Sequence, residues 1–448
     1  METPENLLRV DREHFIHPLH HPVEHDEPIL FVEGQGAILR DAAGREYIDG
    51  LASLWNVNVG HGRTELAEAA SVQMQRLAYT SAYVGFTNEP AIRLVDRLLR
   101  LAYPNLSGVY FTTSGAESNE TAFKIARYYW KRRGIPTKTK IITRVHAYHG
   151  VTLGAMSATG IPAYQRMFEP LVPGFVHILP SYPYRYPGSM AEALEEAILR
   201  EGPENVAAFI AEPVIGAGGL IPPTPDYFPK IRTICDKYEV LFIADEVITG
   251  FGRTGKWFAL EHWGVLPDMV TFAKGVTSAY LPLGGVMVSQ KIHETILEAP
   301  LEQRFMHAAT YSAHATCCAV ACANLDILER ENLVERAASM GERLLEGLQT
   351  LRDLPVVGDV RGLGLMGGVE FVEDPKTKEP SVGIGARVLR EARQRGLLAR
   401  LRVGQRGEHP IGDVICLAPP FVITQEQVDR AVEILRDAIR AAMGRVTE

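Results

Sequence analysis

Long apolar runs, cysteine pairs, repeats and an excess of positive charge are all missing from this sequence. No uninterrupted apolar stretch approaches the roughly 20 residues of a membrane-spanning helix. The opening residues, METPENLLRVDREHF, carry charges where a secretory signal needs an apolar core. Five cysteines, Cys235, Cys317, Cys318, Cys322 and Cys416, give neither an even framework nor a CxxC pair. They read as reduced, mostly buried thiols of a cytoplasmic protein. Basic residues number 46 against 54 acidic, a formal charge of −8, so nothing points to nucleic acid. There is no low-complexity tract and no internal repeat. What is present is an ordinary globular composition, 46% hydrophobic and 22% charged, in 448 residues, enough for two domains and a large core.

Strand-like runs recur through the middle of the chain: 109–114, 140–145, 207–213, 241–246, 269–274 and 284–289. Several are apolar on both faces, as in strands covered by helices on each side. Helical stretches lie between some of them. ESNETAFKIARYYWKRR (117–133) sets Ala122, Ile125, Ala126 and Tyr129 on one face, and YFPKIRTICDKYE (227–239) behaves alike. This alternation predicts an α/β domain with a mostly parallel sheet over residues 60–330. Residues 1–59 and 331–448 read differently. The first contain short strands joined by a turn at Ala42-Ala43-Gly44. The second contain a glycine-broken strand region (361–371) and a last helix opened by a capping box at Thr424–Gln427. Both ends are expected to build one small α+β domain.

VLFIADEVITGFGRTG (240–255) contains Gly250, Gly252 and Gly255 in GxGxxG spacing. A dinucleotide fingerprint needs those glycines directly after the strand, opening a helix, with an acidic residue about 20 positions later. Here Asp245 and Glu246 precede the glycines and no amphipathic helix follows, so a nicotinamide or flavin reading fails. An acid at the end of a buried strand needs another purpose. In open α/β sheets ligands sit beyond the carboxyl ends of strands. Lys274, in MVTFAKG, ends a second such run, and burial there favours a neutral, nucleophilic amine over a solvated surface charge. TTSGAES (112–118) is a strand end, a tight turn and a helix start, where the N–H groups of Gly115 and Ala116 face an anion. HAYHG (146–150) contributes the aromatic face of Tyr148. A lysine, an anion cradle, a carboxylate and an aromatic ring together meet the needs of pyridoxal 5'-phosphate.

With ADEVITGFGRTG, PDMVTFAKGVTSAYLPLGGVMVS and SGAES on the page, the chain resembles the class III aminotransferases along nearly its whole length. The resemblance implies a fold-type I pyridoxal-phosphate transferase, with a seven-stranded, mostly parallel sheet and helices on both faces. It implies Lys274 as the Schiff-base lysine and Asp245 as the partner of the pyridine nitrogen. It implies Ser114, Gly115 and Ala116 at the phosphate, Tyr148 and Val247 on opposite ring faces, and Glu212 near the cofactor's hydroxyl side. Thr310, in ATYSAHA, matches a threonine that reaches the phosphate of a neighbouring subunit. This implies a homodimer with active sites at the interface, and leaves open whether dimers pair into tetramers.

GLASLWNVNVGHGR (50–63) and TYSAH look like the omega-aminotransferase branch, which moves an amino group from an amine to pyruvate. That branch implies Trp55, Tyr83, Tyr148 and Arg400 around the substrate, with Arg400 pairing the acceptor's carboxylate. Two departures stand out. Ala116 replaces a serine common among relatives, and the insert 401–413 leaves Arg402 an alternative to Arg400. A transaminase for ornithine, GABA or another amino acid, or a dialkylglycine-type decarboxylase, is the neighbouring alternative. A second carboxylate-binding arginine near Trp55 would favour it, and only Arg63 is in range. From another class comes a histidine-rich metal-binding protein, because His14, His17, His20, His21 and His25 crowd the N-terminus beside Asp26 and Glu27. Pro18 and Pro22 break any helical ligand spacing there, so the expectation is no metal site, with the histidines packing and hydrogen-bonding locally.

Overall fold

The computed structural model describes residues 3–25 and 27–444. Its central sheet has seven strands, in spatial order Leu106–Thr112, Gly284–Ser289, Met269–Phe272, Leu241–Asp245, Val206–Ala211, Lys140–Arg144 and Phe175–Ile178. The last five run parallel to one another. Gly284–Ser289 is antiparallel to both of its neighbours. The link from Phe272 to Gly284 carries only the 3-10 turn Lys274–Val276 and no crossover helix, so the chain returns antiparallel. The edge strand Phe175–Ile178 escapes sequence reading because it is four residues long with His177 in it. Val206–Ala211 and Leu241–Asp245 are buried along their whole length, matching their unbroken apolar runs.

The helix Gly115–Arg132 packs on this sheet and buries Ala122, Ile125, Ala126 and Tyr129. Both chain ends meet in a four-stranded sheet in which Leu397–Leu398 lies parallel to Glu46–Asp49. Asp41 Oδ1 accepts from the N–H groups of Ala43 and Arg45, which shapes the turn at 42–44. A further antiparallel sheet holds Val357–Gly362, Gly367–Asp374, Val414–Leu417 and Arg400–Arg402, with Glu379–Pro380 on its edge. The final helix, Gln425–Gly444, starts at the expected box: Gln427 N–H donates to Thr424 Oγ1, and Thr424 N–H to Gln427 Oε1. Among the described residues no helix is long and apolar enough to cross a membrane.

The glycine loop after Asp245 is a joint between these parts. Gly252 and Gly255 have φ of 97° and 81°, and a Cβ at Gly255 would sit 2.7 Å from Ala338 Cβ. Between them Arg253 is fully buried. It donates to Asn58 Oδ1, Leu365 O and Pro419 O and lies 4.7 Å from the Phe421 ring centre. The fingerprint-like spacing thus serves close packing against the C-terminal region.

Candidate active site

Three neighbouring parallel strands deliver three charged side chains to one end of the sheet. Glu212, Asp245 and Lys274 follow or end Val206–Ala211, Leu241–Asp245 and Met269–Phe272. Lys274 has φ +44°, a left-handed conformation that a lysine holds only when its surroundings impose it. Gly275 behind it has no room for a side chain, since a Cβ would lie 2.5 Å from Asn58 Nδ2. Burial pushes the Lys274 ammonium below its ordinary pKa; Asp245 and Glu212 pull it back up and Arg400 adds to the fall. The amine is therefore easily freed of its proton.

Asp245 is buried and accepts from three donors. Its Oδ2 accepts from His149 Nδ1 at 2.7 Å and from Asn119 Nδ2 at 2.8 Å, and its Oδ1 accepts from Val247 N–H at 3.1 Å. Glu212 accepts from Tyr148 N–H and Gly216 N–H. Burial raises its carboxyl above the ordinary value, opposed by His149. Glu246, beside Asp245, faces away to Tyr103, Thr249 and the N–H groups of Ala259 and Leu260, and so anchors the loop.

Ser114 caps the helix Gly115–Arg132, its Oγ accepting from Glu117 N–H at 3.3 Å. Glu117 answers by accepting from Thr113 N–H and Oγ1. Gly115 and Ala116 then carry the first N–H groups of the helix, which have no partner within it. Gly115 is obligatory here, because a Cβ would meet Val247 Cγ1 at 2.7 Å. Ala116 in turn packs on Gly150, where a Cβ would meet Ala116 Cβ at 2.6 Å. The sequence-predicted turn, Val247 and the HAYHG loop are thus in mutual contact.

Arg400 lies over the face of Trp55, 4.6 Å from guanidinium carbon to ring centre, and donates to Tyr164 Oη at 3.3 Å. Its Nη1 is buried without a partner. The Tyr164 ring stands 5.3 Å from that of Tyr148. Arg402 points elsewhere: it is buried, bonds Val403 O and Gln405 Oε1, and lies 3.5 Å from His146 Nδ1. Of the two arginines left open in the sequence, Arg400 is the one beside Trp55 and Tyr164. Arg63 is taken up by Glu331 in a two-pronged pair at 2.8 and 2.7 Å.

Two expected residues are not drawn into this group. Tyr83 is 47% exposed, and Thr310 is exposed with its carbonyl held by Tyr79 Oη at 2.6 Å. Neither has a hydrogen bond or ring contact to Lys274, Asp245, Tyr148 or Arg400 among the described residues. Sequence reading missed His149, Asn119 and Tyr164. The sequence hint for His149 was its place beside Tyr148, but its partner Asp245 is 96 positions away.

These residues fit pyridoxal phosphate. The cleft has a desolvated lysine amine, an anion-facing helix start that tolerates no side chain at Gly115, and a buried carboxylate locked by three donors.

The family model for aminotransferase class-III matches residues 20–439. The chain is similar to the diaminobutyrate–2-oxoglutarate transaminase of Halomonas elongata, 41% identical with 98% of each chain covered. It is 38% identical to the putrescine–pyruvate aminotransferase of Pseudomonas aeruginosa, covering 92% of this chain and 90% of that one. Its fold matches the crystal structure of a thermostable (S)-enantioselective omega-transaminase from Thermomicrobium roseum, with TM-score 0.92, 45% identity and 100% of both chains covered.

Proposed function

The chain belongs to the class III aminotransferases, enzymes that depend on pyridoxal phosphate, and on that premise we propose that it moves an amino group from a primary amine or omega-amino acid to pyruvate or a related keto acid. The observation that carries this reading is the unpartnered guanidinium nitrogen of Arg400, beside Trp55 and Tyr164. Arg400 Nη1 is free to meet one carboxylate, while Arg63, the other arginine in range, is consumed by Glu331. One carboxylate site suits a keto-acid acceptor alternating with an amine that has none.

When bound, pyridoxal phosphate supplies an electron-withdrawing ring that stabilises the charge left on the substrate carbon. Lys274 would hold the cofactor's aldehyde, and its Nζ is the group that would take up the proton from the substrate carbon. The lowered pKa of Lys274 suits it to this work. Asp245 would face the ring nitrogen and hold its proton, with His149 and Asn119 fixing the direction of the carboxylate. Gly115 and Ala116 would offer their N–H groups to the phosphate, with Ser114 capping the helix start. Tyr148 and Val247 would pack against the ring, and Glu212 orients the Tyr148 backbone. Trp55 and Tyr164 hold Arg400 until an acceptor carboxylate arrives, and Arg400 must swing aside for an apolar amine side chain.

The enzyme works as a homodimer with its active sites at the interface. Support comes from Val84, Phe86, Met306 and Tyr311, large hydrophobic side chains near Tyr83 and Thr310 in sequence that are exposed in the single chain. A second subunit there brings Thr310 and Tyr83 to its neighbour's cleft. Residues 60–330 form the large domain and residues 1–59 with 331–448 the small one; in support, Leu397–Leu398 pairs with Glu46–Asp49, and every strand of the seven-stranded sheet lies between Leu106 and Ser289. A cytoplasmic setting accords with five free cysteines.

The test is spectroscopic. The holoenzyme is mixed with 1-phenylethylamine without acceptor; its visible band should fade, return on adding pyruvate, and yield acetophenone. A band bleached only by amino acids overturns the amine assignment and leaves the family chemistry intact.

A further inference from the structure

The N-terminal arm holds a group that transamination does not use. Helix Pro4–His14 ends, the chain turns through Phe15–His21, and the short 3-10 turn Pro22–Glu24 returns it to the helix end. Asp11, His17 and His25 come together there, 14 positions apart at most, each offering one ligand atom within 4.8 Å of the others. His17 Nε2 lies 3.1 Å from Asp11 Oδ1, and the rings of His17 and His25 are 3.7 Å apart at their centres. The expected local packing is present, but it leaves polar atoms unsatisfied. Asp11 Oδ2 and His25 Nε2 are both buried with no hydrogen-bond partner. A buried carboxylate oxygen and a buried imidazole nitrogen, side by side and unpaired, each cost free energy that a cation would recover.

We propose that Asp11, His17 and His25 bind one divalent transition-metal ion, zinc foremost. Two imidazoles and a carboxylate are borderline donors suited to zinc, with metal–ligand distances of about 2.0–2.2 Å. Such distances put tetrahedral donors roughly 3.3 Å apart, close to the Asp11–His17 separation and reachable for His25 by small side-chain turns. Solvent takes the fourth position, since all three residues are only half-buried. His20 and His21 stand outside the set, because their Nδ1 atoms accept from the N–H groups of His17 and Val23 and shape the turn. Asp26 lies outside the described residues. The ion clips the helix end to the turn at His25. It thereby fixes an arm that exposes Phe15, Ile16, Leu19 and Val23. The pyridoxal-phosphate cleft plays no part in this site.

The experiment uses full-length holoenzyme without a polyhistidine tag, stripped with a chelator, loaded with zinc chloride and freed of excess. Zinc per chain is counted by mass spectrometry, and affinity is read by competition with a chromophoric chelator. Wild type is expected to hold one zinc per chain. Asp11→Asn, His17→Ala and His25→Ala should each weaken binding at least tenfold, while the double variant His20→Ala/His21→Ala keeps it. An intact cofactor band and circular dichroism spectrum certify that each variant is folded. Wild type binding no more zinc than the three single variants, or loss of binding in the His20→Ala/His21→Ala variant, overturns the proposal.

Discussion

His149 Nδ1 sits 2.7 Å from Asp245 Oδ2, and both side chains are buried. Asn119 shares the same oxygen, so Asp245 presents its charge in one fixed direction. Removing one donor to a buried carboxylate costs about 1.5–3 kcal/mol of the ionised form's stabilisation. His149→Ala should therefore slow the amine half-reaction by roughly 10–100-fold and move the pH at which the cofactor's visible band changes. Stopped-flow absorbance across pH checks both. A rate loss with no spectral shift would mean His149 is only structural.

Replacing Lys274 with Ala should abolish multiple turnover, because it removes the buried amine that follows the strand Met269–Phe272. Asp245→Asn should keep cofactor binding yet cut proton abstraction by about 10²–10⁴-fold, the usual worth of acid–base catalysis. Single-turnover kinetics with a deuterated donor separate the two effects.

Arg400→Ala should raise the KM for pyruvate roughly 10–100-fold, the worth of a charge-assisted pair, and change the KM for an aromatic amine far less. Arg402→Ala should instead lower thermal stability, since its buried guanidinium bonds the chain around Val403 and Gln405. Steady-state kinetics and a melting curve on both variants give the contrast.

Gly115→Ala should loosen cofactor retention, because the new methyl would meet Val247 at 2.7 Å. Adding Val247→Ala should restore part of it. Spectral titration with pyridoxal phosphate measures both variants.

His146 is buried, beside Arg402, and burial holds its pKa down at about 3. The unfolded chain takes up this proton near the ordinary value, about 6.5, so the unfolded state binds more protons between the two pKa values. Stability therefore falls as pH drops through that window, with a slope approaching about 1.4 kcal/mol per pH unit from this residue. Urea unfolding at pH 7.5 and pH 5 should show the loss, and His146→Gln should reduce it.

Much of the fold was legible because it is written in local pattern. The apolar runs at 207–213 and 241–246 are strands, the stripe from Val428 to Ala442 is a buried helix face, and Thr424 caps it. The short edge strand Phe175–Ile178 was not, since four residues carry too little periodicity to separate strand from loop. The tight turn and helix start read after Thr113 reappear as a capped helix N-terminus.

By itself the sequence determined which chemical groups are present and that the ends of buried strands carry them. It determined the α/β class, the turn that opens the helix at Gly115, and the placing of a lysine and a carboxylate at strand ends. Tertiary structure alone decided who touches whom across long separations. It set His149 against Asp245, Trp55 under Arg400 and Arg63 on Glu331, and it turned Arg402 into the interior. The physical reason is that hydrogen bonds and ring contacts depend on side-chain directions within a few ångströms. Those directions follow from how sheets and loops pack, which no residue's neighbours in sequence encode.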